Sequence, residues 1–103
     1  MLDKKTVIDM VKSYAETVTN EFSPAAIVLY GSYAYGVPND ESDIDVAVIF
    51  KGFSDDWHTV ISRLWKLGHN ISFYIEPVLL DSDRDKSGFV DHVYKNGEII
   101  YQS

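Results

Sequence analysis

The sequence predicts an α+β domain with α/β-like character, a small β-sheet packed by helices, on three observations. Segments with apolar residues at helical spacing alternate with short apolar runs of strand length. Two of those runs, 25–30 and 43–50, are apolar on both faces, as strands inside a sheet are. A third run, 71–80, carries Pro77, which belongs on an edge or at a bulge. A chain of 103 residues can bury its own core, so residues 1–103 are expected to form a single domain.

Taken in order, residues 3–20 read as a helix with Asp3 as N-cap and Val7, Val11, Tyr14, Ala15 and Val18 on its buried face. Phe22-Ser23-Pro24 breaks it, and Ala25 to Tyr30 forms the first strand. Gly31 ends that strand, and Ser32 caps a turn or short helix that Gly36-Val37-Pro38 cuts off. In the strand 43–50, Asp43, Asp45, Ala47 and Ile49 share one face, while Ile44, Val46, Val48 and Phe50 share the other. Only its acidic first end should reach solvent.

Ser54 is expected to cap the next helix, which buries Trp57, Val60, Ile61, Leu64 and Leu67 and ends on Gly68. The strand 71–80 places Ile71, Phe73 and Ile75 on one face and Ser72, Tyr74, Glu76 and Val78 on the other. After a polar link at 81–85, residues 85–95 form a last helix buried through Phe89, Val90, Val93 and Tyr94. Asn96-Gly97 caps it, and residues 98–102 form a short strand. Trp57, Trp65, Phe73 and Tyr74 are expected in the core. His58, His69 and His92 lack ligand spacing and read as surface or structural residues.

Composition narrows the function. Cysteine is absent, which excludes disulfides and thiolate metal sites. No apolar run approaches the ~20 residues a membrane span needs, and the start of the chain is amphipathic, so a cytoplasmic protein is expected. The net charge is −7, and the nine basic residues form no run, which argues against nucleic acid as the main partner. An acidic protein can hold a nucleoside triphosphate only if metal ions mask the like charge.

The stretch from Gly31 to Asp45 offers the means. Asp43 and Asp45, at i and i+2 on a strand, point to one face, where two close carboxylates repel unless a cation lies between them. Beside a phosphate-binding feature, such a pair reads as a divalent-metal site. Ser32 supplies that feature with its hydroxyl and the free backbone N–H groups of its turn.

Gly31-Ser32 followed by Asp43-Ile44-Asp45 between two strands resembles the signature of the DNA polymerase β-like nucleotidyltransferases. The small size, the Gly31-Ser32-Tyr33-Ala34-Tyr35-Gly36 opening and the Phe89 to Tyr101 ending resemble the minimal nucleotidyltransferase (MNT) branch. That branch is typically encoded beside a HEPN-domain partner as a toxin–antitoxin pair. The resemblance covers nearly the whole chain and implies the polymerase β-like fold, with a mixed sheet. It implies that Gly31 and Ser32 hold the β- and γ-phosphates of ATP or another nucleoside triphosphate. It further implies that Asp43 and Asp45 ligate two Mg²⁺ ions, with a third carboxylate from a later strand joining them. Glu76 is that candidate.

The implied reaction is transfer of a nucleoside monophosphate, AMP from ATP, to a hydroxyl, a tyrosine of a HEPN toxin, which makes the protein an antitoxin. Two departures from the family pattern stand out. Tyr33 and Tyr35 occupy places where arginine is common, with the nearest cations distant in sequence. The third acid is a glutamate beside a proline, where aspartate is common. The chain has no room for the helical acceptor domain of larger aminoglycoside-modifying relatives, so a partner is expected to complete the acceptor side; a homo-oligomer is also allowed. Two other readings stay open: a non-catalytic antitoxin that masks its partner, and transfer to a small molecule such as an aminoglycoside.

Overall fold

The computed structural model describes residues 2–103 and is built on four strands and three helices. In chain order these are α1 (Lys4–Glu21), β1 (Ala26–Tyr30), a 3-10 turn (Gly31–Tyr33), β2 (Ile44–Phe50), α2 (Trp57–His69), β3 (Ile75–Asp81), a second 3-10 turn (Ser82–Arg84), α3 (Phe89–Asn96) and β4 (Glu98–Gln102). The sheet order is β3-β2-β1-β4. β1 runs antiparallel to both β2 and β4, whereas β2 and β3 are parallel, so the sheet is mixed, as expected.

Each face of the sheet carries its own core. On one side α1 and α2 cover Ile27, Leu29, Ile44, Val46, Val48, Ile75 and Leu79. The α1 face is the expected one, with Val7, Val11, Tyr14, Ala15 and Val18 all buried and Asp3 accepting the Thr6 N–H as N-cap. Tyr14 reaches across to donate a 3.0 Å hydrogen bond to the Leu64 carbonyl, which satisfies its buried hydroxyl. On the other side α3 places Val90 and Val93 over Ala26, Val28, Ala47 and Ile49. The continuous apolar runs of β1 and β2 follow from burial on both faces.

Several boundaries differ from the sequence reading. Asp56, not Ser54, caps α2, accepting the Thr59 N–H at 3.2 Å. Gly68 lies inside α2 rather than at its end, and Asn70 is the C-cap. The reason is packing: a methyl group there would stand 2.9 Å from Ile75 Cγ2. Residues 71–74 are not strand, because the N–H groups of Ile71 and Ser72 both close onto the Gly68 carbonyl as the helix unwinds. Phe73 is therefore 83% exposed, and Tyr74 and Trp57 are also exposed rather than core; Trp65 is half-buried. The last helix starts at Phe89, later than expected, while Asp85 reaches forward to accept the N–H groups of Val90 and Asp91.

Pro77 sits on an edge strand, as expected, in register with Val46. Ile44 N donates to Tyr74 O, so Glu76 and Val78 direct their backbone groups at β2 and Pro77 directs its nitrogen outward, at no cost to the ladder.

Asp81 closes β3 and is the buried carboxylate of the described core. Its oxygens accept the N–H groups of Gly52, Phe53 and Asp83, each at 3.0 Å, tying the loop after β2 to the end of β3. The hydrogen bond from Asp83 N–H, then those from Gly52 and Phe53 and the charge of Arg84, outweigh burial and hold its carboxyl below the usual range. Asp81→Ala leaves three donors without their acceptor and is expected to cost about 2–4 kcal/mol in urea unfolding at neutral pH. A depressed folded-state value stabilises above the unfolded carboxylate value and is lost as pH falls through the folded one. The gap between variant and parent should therefore narrow below about pH 4.

Candidate metal and nucleotide site

Sheet register assembles the acidic end of β2. Asp45 pairs with Glu76 of β3 on one side and with Tyr30 of β1 on the other. All three side chains point to the α3 face, like Val28, Ala47 and Val78 farther along the same strands. Asp43 stands two residues before Asp45, on the same face and exposed. The aspartate pair and Glu76, far apart in sequence, thus meet across two neighbouring strands.

The charges feel one another. Burial first, and then the charge of Asp43, raise the Asp45 carboxyl above its ordinary value. Glu76 is raised by burial, by the charge of Asp43 and a hydrogen bond shared with it, and by Asp45, with His69 acting weakly the other way. Burial, joined by Asp45, Tyr35 and Glu76, pushes the Tyr30 phenol up to about 12. Tyr30 is a neighbour that the sequence reading passed over; only the register of β1 against β2 brings it beside Asp45.

The Gly31–Tyr33 turn abuts these acids. Gly31 has φ +75°, and a Cβ there would collide with Asp45 Oδ2 and lie 3.1 Å from its Cγ, so only glycine lets the turn lie against the carboxylate. Ala34 and Tyr35 N–H groups both close onto the Gly31 carbonyl at 3.1 Å. Gly36 folds back so tightly that a methyl group on it would reach 2.8 Å from Ser32 Cα. Ser32 lies within this turn rather than capping it; the cap is Tyr30, with no side-chain bond. Among the described residues the Ser32 hydroxyl takes no hydrogen-bond partner.

No cation follows Ser32 closely in sequence, but the fold brings two basic residues near. Lys4 Nζ, from the start of α1, lies 3.4 Å from the Ala34 carbonyl and 3.7 Å from Glu98. His92 of α3 lies 3.3 Å from the Tyr35 hydroxyl. Neither contact left a signal in the sequence, because both depend on helices packed from a distance.

Among the described residues no three His, Asp or Glu side chains stand close enough together to hold a metal ion as they are placed. The donor set nonetheless suits one. Asp43, Asp45 and Glu76 offer hard carboxylate oxygens, the choice of Mg²⁺ and Mn²⁺, and among the described residues none of the three forms an ion pair. A divalent cation there would neutralise the acids and a bound phosphate chain together. The surface here is open. A separate cleft of about 320 Å³, between Trp57, Leu79, Arg84 and Phe89, lies away from the acids.

Comparison with known proteins agrees with this architecture. The family model "Polymerase beta, Nucleotidyltransferase" matches residues 12–103. A crystal structure of a candidate nucleotidyltransferase from Sulfolobus solfataricus superposes with a TM-score of 0.68 at 25% identity, over 96% of this chain and 83% of that one. A mutant of the toxin–antitoxin MntA–HpeT superposes with a TM-score of 0.60 at 20% identity, over 99% of this chain and 75% of that one, a likeness of fold. No curated protein matches in sequence. With the family model spanning nine-tenths of its length, the chain belongs to the polymerase beta nucleotidyltransferase family.

Proposed function

We propose that this chain is an MNT-type antitoxin that transfers AMP from ATP, with Mg²⁺, to a tyrosine hydroxyl of a HEPN-domain toxin. The observation that carries the reading is the row Glu76–Asp45–Tyr30 across three strands, with Asp43 beside it and the Gly31 turn against it. The likeness to the MntA–HpeT structure supports a toxin as partner.

In this reading the Gly31–Ser32 turn binds the β- and γ-phosphates through the Ser32 hydroxyl and backbone N–H groups. Asp43 and Asp45 would hold two Mg²⁺ ions, with Glu76 as a third carboxylate beside them. Bound there, the metal ions supply charge neutralisation for the triphosphate and the departing pyrophosphate. Glu76, as the ionised carboxylate, takes the proton of the attacking hydroxyl. The oxygen–α-phosphorus bond forms as the bond from α-phosphorus to the bridging oxygen breaks, and pyrophosphate leaves. Positioning and charge do the rest.

The test incubates the protein and Mg²⁺ with each α-labelled nucleoside triphosphate and the product of the neighbouring gene. Label is expected on a partner tyrosine with ATP, and Asp43→Ala should reduce it at least roughly a hundredfold. A partner neutralised equally well without label would make the protein a masking antitoxin instead. Label appearing on an aminoglycoside and not on the partner would move the acceptor to a small molecule.

A further inference from the structure

Asn96, His92 and Tyr35 form a chain of contacts that the carboxylate site does not use. Asn96 Nδ2 donates to the His92 carbonyl at 3.0 Å and lies 3.1 Å from His92 Nδ1. A carbonyl only accepts, so the amide nitrogen, not its oxygen, faces the ring, and Nδ1 must accept as well. The neutral imidazole then carries its proton on Nε2, which lies 3.3 Å from Tyr35 Oη. That N–H donates to the phenol oxygen. The Tyr35 hydroxyl proton is therefore left free to donate elsewhere.

Its place indicates where. Tyr35 belongs to the turn that starts at Gly31, and its N–H closes onto the Gly31 carbonyl. Its ring meets His92 edge-on at 5.9 Å, His92 stacks on Phe89 at 6.2 Å, and Phe89 meets Tyr30 edge-on at 5.6 Å. Tyr30 is the register neighbour of Asp45. The aromatic row thus ties the half-exposed Tyr35 to Tyr30, whose phenol feels both Tyr35 and Asp45.

We infer that Tyr35 donates its hydroxyl proton to the phosphate chain of a bound nucleoside triphosphate, with His92 and Asn96 as the residues that aim it. This rests on the reading of the site as a nucleotide site. An uncharged donor suits a chain of net charge −7, where metal ions supply the neutralisation and the protein supplies direction.

Calorimetric titration of the full chain with ATP and Mg²⁺ tests it, beside Tyr35→Phe and His92→Phe. Tyr35→Phe should weaken ATP binding by about tenfold to a hundredfold, and His92→Phe by severalfold, since the hydroxyl then rotates freely. In the transfer assay both should raise KM for ATP with kcat nearly unchanged. Nitrogen-15 spectra should show the Nε2–H tautomer at His92, lost in Asn96→Leu. If the parent protein binds ATP and Tyr35→Phe binds it equally well, or if His92 carries its proton on Nδ1, the inference is overturned while the nucleotide site stands. If the parent binds no nucleotide, both fall.

Discussion

Asp45→Asn is expected to abolish nucleotidyl transfer while raising the melting temperature of the metal-free protein. Transfer should fall by roughly a thousandfold or more, because the central carboxylate of the acidic row loses its charge and one of its two oxygens. The stability gain follows from the same environment. Burial and the charge of Asp43 raise the Asp45 carboxyl in the folded state, so folding works against its ionised form. For a raised carboxyl the folded protein loses stability as pH climbs from the unfolded value through the folded one, and the loss persists at neutral pH. An uncharged amide of the same shape removes it. Calorimetry in EDTA at pH 7 should give an increase of roughly a few degrees. Added Mg²⁺ should stabilise the parent protein and leave Asp45→Asn unmoved, since only a ligand that binds the folded state shifts the transition. Retained transfer, or a metal-free variant less stable than its parent, would contradict the assignment of Asp45 to the site.

Gly31→Ala should damage the fold and the candidate site together. The left-handed backbone at φ +75° costs a non-glycine residue about 1 kcal/mol, and the methyl group also drives into the Asp45 carboxylate. Either the turn opens or Asp45 leaves its place, so the expected loss is about 2–4 kcal/mol together with Mg²⁺-induced stabilisation. Gly88→Ala is the control. Gly88 has φ +77° with nothing within 4 Å of an added Cβ, so it carries the backbone cost alone. Urea unfolding of the two variants separates strain from collision; equal losses would mean that the contact with Asp45 contributes nothing.

Much of the fold was legible because the sequence states it twice, by period and by punctuation. The α1 face, from Val7 to Val18, follows the helical repeat residue by residue, and Asp3 marks its start. The closeness of Gly31 to Asp45 agrees with the signature that the family resemblance drew attention to, and Pro77 suggested an edge or a bulge. What stayed hidden depended on atoms far along the chain. Ile71, Phe73 and Ile75 alternate like a strand, yet the Gly68 carbonyl captures the backbone of residues 71 and 72, and the alternation is accidental. Asp85 lies four residues before α3 and still accepts its first N–H groups, so the expected start was early. At the site, Glu76 could be named from the sequence as the carboxylate of the strand expected over 71–80, although β3 in fact extends to Asp81, while Tyr30, Lys4 and His92 enter only through register and helix packing.

Pro77 has a consequence for how this protein meets other chains. Along the outer border of β3, Ile75 has already turned its N–H back to the Ser72 carbonyl at 3.2 Å, and Pro77 has none to offer. Between residues 75 and 79 that border is left with the Leu79 N–H as its donor, too sparse a ladder for an incoming strand to grip. That sparseness disfavours growth of the sheet into fibrils from this side. What this border presents instead is side chains, with Phe73 and Tyr74 exposed at its start.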